Sequence, residues 1–128
     1  MKYLLDSNVL IYSTRPELEY AACQAWLRRN DVAASALAQV EVLGFSAITP
    51  AEVRYFSAVL AALPVLPITD QVLLRATEVR RKFGLKTPDG IVAATALVHG
   101  LELVTADLGF DRVAGLAVIN PLVLPDLG

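Results

Sequence analysis

The chain has 128 residues, 55% of them apolar, with a formal net charge of −2. That length suits one domain over residues 1–128, and the weakly negative balance excludes coating nucleic acid by bulk electrostatics, while leaving room for a local basic patch. A lone cysteine, Cys23, excludes a disulfide framework or a thiolate zinc cluster, and every apolar run is broken before membrane-spanning length, so a cytoplasmic protein without a membrane partner is expected.

In chain order, Lys2 to Leu5 reads as a buried strand ending at Asp6-Ser7-Asn8. The first helix is predicted to open near Pro16, with Leu18, Ala21, Ala22, Ala25 and Trp26 on one face and Cys23 as a small helix residue. A short strand over Val32 to Ala34 follows, and Ser35 reads as the N-cap of a helix from Ala36 to about Leu43. Thr49-Pro50-Ala51-Glu52 is a capping box with proline in the first turn, starting a helix to about Leu63. Val65 to Ile68 lies between prolines and is restricted to a short or edge strand. A helix from Gln71 keeps Val72, Leu73, Ala76, Val79 and Phe83 at helical spacing and stops at Gly84. Thr87 reads as the cap of the next helix, which is apolar nearly all round as far as Gly100 and is therefore expected to be deeply buried. Strands over Leu101 to Thr105 and Leu116 to Ile119 complete an α/β alternation, which implies a mostly parallel sheet covered on both faces.

Four acids, Asp6, Glu41, Asp89 and Asp107, stand where apolar elements meet turns or helices. Taken singly, Asp6 and Asp107 serve as turn residues, and Asp89 complements a helix N-terminus. Glu41 is placed on an inward flank of its helix, one turn after Leu37 and one before Phe45, without a Lys or Arg at helical spacing to neutralise it. A shared divalent cation accounts for the set better than four unrelated structural acids. Carboxylates without His or Cys suit Mg²⁺ or Mn²⁺, and such ions favour phosphate chemistry by activating water and stabilising the departing oxygen. His99 sits in a last helical turn beside Gly100, where it complements the dipole, so a Ser-His-Asp triad is not indicated. No GxxxxGK[ST] or GxGxxG loop is present. Ser7, Asn8 and Thr105 can orient Asp6 or a bound water, a role in which ordinary turn chemistry competes equally. Arg75, Arg80, Arg81, Lys82 and Lys86 concentrate positive charge ahead of Asp89, either as a phosphodiester-binding patch or as a solvated helix face.

The run Tyr3-Leu4-Leu5-Asp6-Ser7-Asn8-Val9-Leu10-Ile11-Tyr12 resembles the opening of PIN domains. Ser35 with Glu41 resembles their second motif, Thr87-Pro88-Asp89-Gly90-Ile91-Val92-Ala93-Ala94 the third, and Leu103-Val104-Thr105-Ala106-Asp107 followed by Phe110 the fourth. The resemblance covers Lys2 to about Pro121, with the motifs in family order. It implies a PIN-like three-layer α/β/α sandwich with a central, mostly parallel sheet of about five strands. It implies metal-dependent endoribonuclease activity of the VapC kind, with Asp6, Glu41, Asp89 and Asp107 as catalytic, metal-binding acids. It also implies an RNA substrate, a homodimer, and a cognate antitoxin in a type II toxin–antitoxin pair. Gly90 departs from the alanine more usual after the third acid and is expected to loosen the helix start. Two other functions compete: a receiver-like phospho-acceptor signalling domain, which requires a strand ending near Asp70, and a catalytically inactive PIN-like interaction module.

Overall fold

The computed structural model describes residues 1–122; residues 123–128 of the expected single domain lie outside them. Five parallel strands form one sheet: β1 (Tyr3–Leu5), β2 (Val32–Ser35), β3 (Val65–Leu66), β4 (Glu102–Val104) and β5 (Val118–Ile119), in the order β3-β2-β1-β4-β5. The helices are α1 (Ser7–Tyr12), α2 (Ala21–Leu27), α3 (Ala36–Leu43), α4 (Pro50–Ala62), α5 (Asp70–Phe83) and α6 (Thr87–His99).

Successive strand side chains point to opposite faces, and the core divides accordingly. Tyr3, Leu5, Val32, Ala34 and Val104 pack with Val9 and Leu10 of α1, Cys23 of α2, Val42 of α3 and Phe56 of α4. Leu4, Ala33 and Leu103 face the other way, onto Val79 of α5 and Val92, Ala93 and Ala96 of α6. This is the three-layer α/β/α sandwich, with strands apolar on both faces because both are covered. The expected burial of α6 is observed: Val92, Ala93, Ala94, Thr95 and Ala96 are all buried. No described helix is long and apolar enough to cross a membrane.

Local signals set most element ends. Ser35 accepts a hydrogen bond from the Leu37 amide, and Thr49 with Glu52 forms the full capping box under Pro50. Gly84 and Gly100 end α5 and α6 at φ values of 70° and 65°, in the left-handed region that glycine enters without steric penalty.

The structure corrects three expectations and bears out a fourth. No helix opens near Pro16; instead α1 follows Asp6 directly, and α2 begins only at Ala21 after a 3₁₀ turn over Leu18–Tyr20. The β-branched and aromatic composition of Ser7 to Tyr12 conceals α1, which is held by the Asp6 cap and by complete burial of Val9 and Leu10. On α2 the inner face is Cys23, Trp26 and Leu27, while Leu18, expected inside, is 89% exposed. Thr87 is the first residue of α6 rather than its cap; Lys86 holds the cap position without a side-chain bond. Finally, Val65–Leu66 is a two-residue edge strand, so the segment ending at Asp70 cannot serve as the middle strand of a receiver-like domain.

Candidate active site

The strand order reverses between β1 and β4, because the chain builds outward from β1 through β2 to β3 on one side and through β4 to β5 on the other. In an open parallel sheet the crevice lies at such a switch point, beyond the carboxyl ends of the strands. Asp6 follows β1 there, and Thr105 to Asp107 follow β4.

Asp6 is 8% exposed and is the N-cap of α1. Its Oδ1 accepts from the Ser7 amide at 2.8 Å; its Oδ2 accepts from the Thr105 hydroxyl at 2.8 Å and from Asn8 Nδ2 at 3.3 Å. Thr105 Oγ1 in turn accepts from Asn8 Nδ2 at 3.0 Å and from the Asp107 amide at 3.1 Å. The Ala106 amide donates to Asn8 Oδ1 at 3.2 Å, closing a network between segments nearly a hundred residues apart in sequence. Asn8 and Thr105 therefore do more than turn chemistry, since each bonds to the opposite strand end.

Burial drives the Asp6 carboxyl pKa up; Thr105 and the Ser7 amide draw it back, and the charges of Asp89 and Asp107 push it up further. Glu41, half-buried on α3, is also raised, first by burial and then by Asp6, with the Ser7 side chain opposing and Asp89 adding. Its helix ends at Leu43, so Phe45 is not on it, and the inward face is Ala38 and Val42 with Glu41 on the flank. Asp89, in the first turn of α6, is raised by burial and by Asp107 and lowered by Lys86 and Arg112. Asp107 is exposed and caps the 3₁₀ turn Leu108–Arg112 by accepting from the Gly109 amide at 2.8 Å.

The four acids, drawn from four separate segments, thus share one electrostatic neighbourhood. They are neighbours rather than a formed cage. Among the described residues no three stand in metal-ligand geometry, and the oxygens of Asp6 and one of Asp107 are engaged by their own helix-start and network bonds. The one ion pair among the described residues joins Arg29 to Asp31, so no cation neutralises the acids by direct pairing. Hard oxygen donors, with Asp6 buried and Glu41 and Asp89 half-buried, suit a divalent cation by their chemistry, and such an ion would offset their repulsion.

The basic residues divide. Arg80 and Arg81 line a groove with Leu73, Thr77 and Ile91, whereas Arg75 and Lys82 line another with Glu78 and Phe83. Of the five, Lys86 lies where its charge lowers the Asp89 pKa. Arg112 does the same and escaped the sequence reading, because nothing in its spacing ties a 3₁₀-turn arginine to an acid on another helix. Another groove, of about 460 Å³, is lined by Ser13, Gln24, Arg28 and Tyr55 and by none of the acids.

The family model of the PIN domain matches residues 3–116. Ribonuclease VapC51 of Mycobacterium tuberculosis (strain ATCC 25618 / H37Rv) is 30% identical, over 91% of this chain and 88% of its own. A toxin–antitoxin complex from Klebsiella pneumoniae contains a chain with TM-score 0.76 and 29% identity, covering 94% of this chain and 98% of that one. FitAcB from Neisseria gonorrhoeae gives 0.77 and 28%, over 95% and 99%.

Proposed function

The chain belongs to the PIN domain family, and from that premise we propose that it is a divalent-metal-dependent endoribonuclease, the toxin of a type II toxin–antitoxin pair. The observation that supports this reading is that Asp6, Glu41 and Asp89, from three segments, feel one another's charge and that of Asp107 beyond the carboxyl ends of β1 and β4, with their pKa values raised. The ribonuclease name of the Mycobacterium relative and the toxin–antitoxin complex of the Klebsiella neighbour support it.

Asp6, Glu41, Asp89 and Asp107 would hold the ion, and all-oxygen donors favour Mg²⁺ or Mn²⁺. When bound, it supplies Lewis acidity and stabilises negative charge on the phosphoryl group. Thr105 and Asn8 keep Asp6 oriented by donating to Oδ2, and the Thr105 bond favours its ionised form against burial. Glu41, half-buried and within electrostatic reach of Asp6, would complete the ligand set from α3. Lys86 and Arg112 bring positive charge to the rim of an otherwise repulsive site.

A cognate antitoxin and a second copy of the chain are the proposed partners. Exposed Val40, Leu74 and Leu108, at 67%, 65% and 71%, offer apolar surface for such contacts. No specific observation favours the inactive-module reading. The test is incubation of wild type and Asp6→Asn with cellular RNA, with Mn²⁺ or with EDTA. Metal-dependent cleavage is expected, with a loss on the order of a hundredfold or more in the variant. Equal cleavage by both proteins ends the reading.

A further inference from the structure

The turn Leu108–Arg112 is anchored by Phe110, which is 1% exposed and packs into the α5–α6 side of the core. From it, Arg112 donates through Nε to the Gly109 carbonyl at 3.1 Å and through Nη1 to the Phe83 carbonyl, at the end of α5, at 3.4 Å. Carbonyls from two segments thereby fix the plane of an exposed guanidinium, leaving Nη2 without either bond.

Gly109 explains what lies beside it. A Cβ at that position would stand 3.1 Å from Asp107 Oδ1 and 3.7 Å from Arg112 Nη2, so acid and cation flank the same bare glycine. Arg112 nonetheless forms no ion pair with Asp107, or with any carboxylate among the described residues. Its charge also reaches Asp89. A bare backbone surface between a proposed metal ligand and a backbone-tethered guanidinium that pairs with no carboxylate among the described residues has the chemistry to receive an anion. Lysine, a flexible point charge, offers less geometric definition, which sets Arg112 apart from Lys86.

We propose that Arg112 clamps a phosphate of the RNA strand over Gly109, beside Asp107, and so determines how the strand lies across the acids. This rests on the endoribonuclease reading. The clamp opposes the repulsion that the acids exert on a polyanion, and it acts on the strand rather than on metal affinity.

The test uses a labelled pool of short single-stranded RNA of random sequence, with binding followed by fluorescence anisotropy in the Asp6→Asn background, where cleavage does not interfere. Arg112→Gln is expected to weaken binding about tenfold and to shallow the salt dependence by about 0.7 in log–log slope, the loss of one phosphate contact. Arg112→Lys is expected to restore the slope but only part of the affinity. In the cleavage-competent protein, Arg112→Gln raises KM for cellular RNA more than it lowers kcat, and Mn²⁺ affinity is not weakened. Thermal melts of both variants show whether the turn is intact, and Arg112→Lys carries the test if Arg112→Gln is unstable. Unchanged RNA affinity and slope overturn the assignment to Arg112, including the outcome in which only binding to an acidic protein partner is lost. Absence of RNA binding and metal-dependent cleavage in otherwise wild-type protein overturns the endoribonuclease reading and the clamp with it.

Discussion

Thr105 shows how one hydroxyl orders the site. It is 1% exposed, donates to Asp6 Oδ2, and accepts from both Asn8 and the Asp107 amide. Valine has nearly the same shape but can do none of this. Thr105→Val is therefore expected to cost about 1–3 kcal/mol, the range for stranding buried partners of a hydrogen bond, and to raise the Asp6 pKa further by removing the contact that most favours its ionised form. Urea denaturation and NMR titration of the Asp6 carboxyl check the two effects; a neutral substitution would show that water replaces the hydroxyl. The sequence offered Thr105 as a residue that can orient Asp6 or a bound water, and the parallel pairing of β1 with β4 is what brings it to Asp6.

At the scale of elements, the packing of α5 against α6 explains Gly90. Beyond the expected loosening of the helix start, Gly90 has a packing role, since it is buried and a Cβ there would meet Arg80 Cγ at 2.6 Å and Cδ at 3.2 Å. The missing side chain lets Arg80 lie across the first turn of α6, where its Nε donates to the Leu85 carbonyl at 3.1 Å. Crowding of this kind costs about 1–3 kcal/mol, against a helix-propensity gain of about 1 kcal/mol for Gly→Ala. Gly90→Ala is thus expected to be neutral to destabilising in the wild-type background and stabilising by about 0.5–1 kcal/mol in Arg80→Ala. A double-mutant cycle in chemical denaturation measures the difference, and additivity would dismiss the steric account. Of the five basic residues grouped by sequence, Arg80 has this packing role because α5 turns it toward α6, a direction that charge density alone does not reveal.

For the whole molecule, the grouped acids tie stability to pH and metal. Asp6, Glu41 and Asp89 have carboxyl pKa values raised above the ordinary 3.8, 4.5 and 3.8, respectively. The folded form therefore takes up protons before the unfolded form does, and these groups destabilise the metal-free fold while they are ionised. Their contribution to stability improves as pH falls from neutral through the raised folded values and is complete below the ordinary ones. Asp31, lowered by Arg29, works in the opposite sense, its contribution being lost as pH falls from 3.8 through its folded value. If the proposed site binds Mn²⁺, the ion is expected to reverse this trend: at a hundred times its dissociation constant it would add about 2.7 kcal/mol, most fully at neutral pH, and would lose ground to protons on acidification. Thermal melts across pH, with and without Mn²⁺, are expected to cross in this way, and Asp89→Asn should flatten both curves. Melting curves indifferent to Mn²⁺ at every pH would rule out the metal site.

The sequence by itself determined the α/β alternation, the caps at Ser35 and Thr49 and the glycine stops, and it singled out the four candidate acids, because these depend on residues a few positions apart or on short motifs. It did not determine α1, whose composition disfavours a helix and whose Val9 and Leu10 are held by distant core partners. Nor did it reveal the bonds of Asn8 and Thr105 across β1 and β4, the parting of the basic residues, or Arg112 at the rim. Those depend on strand order and helix rotation, which follow from how the whole chain buries its apolar surface and carry no local signature.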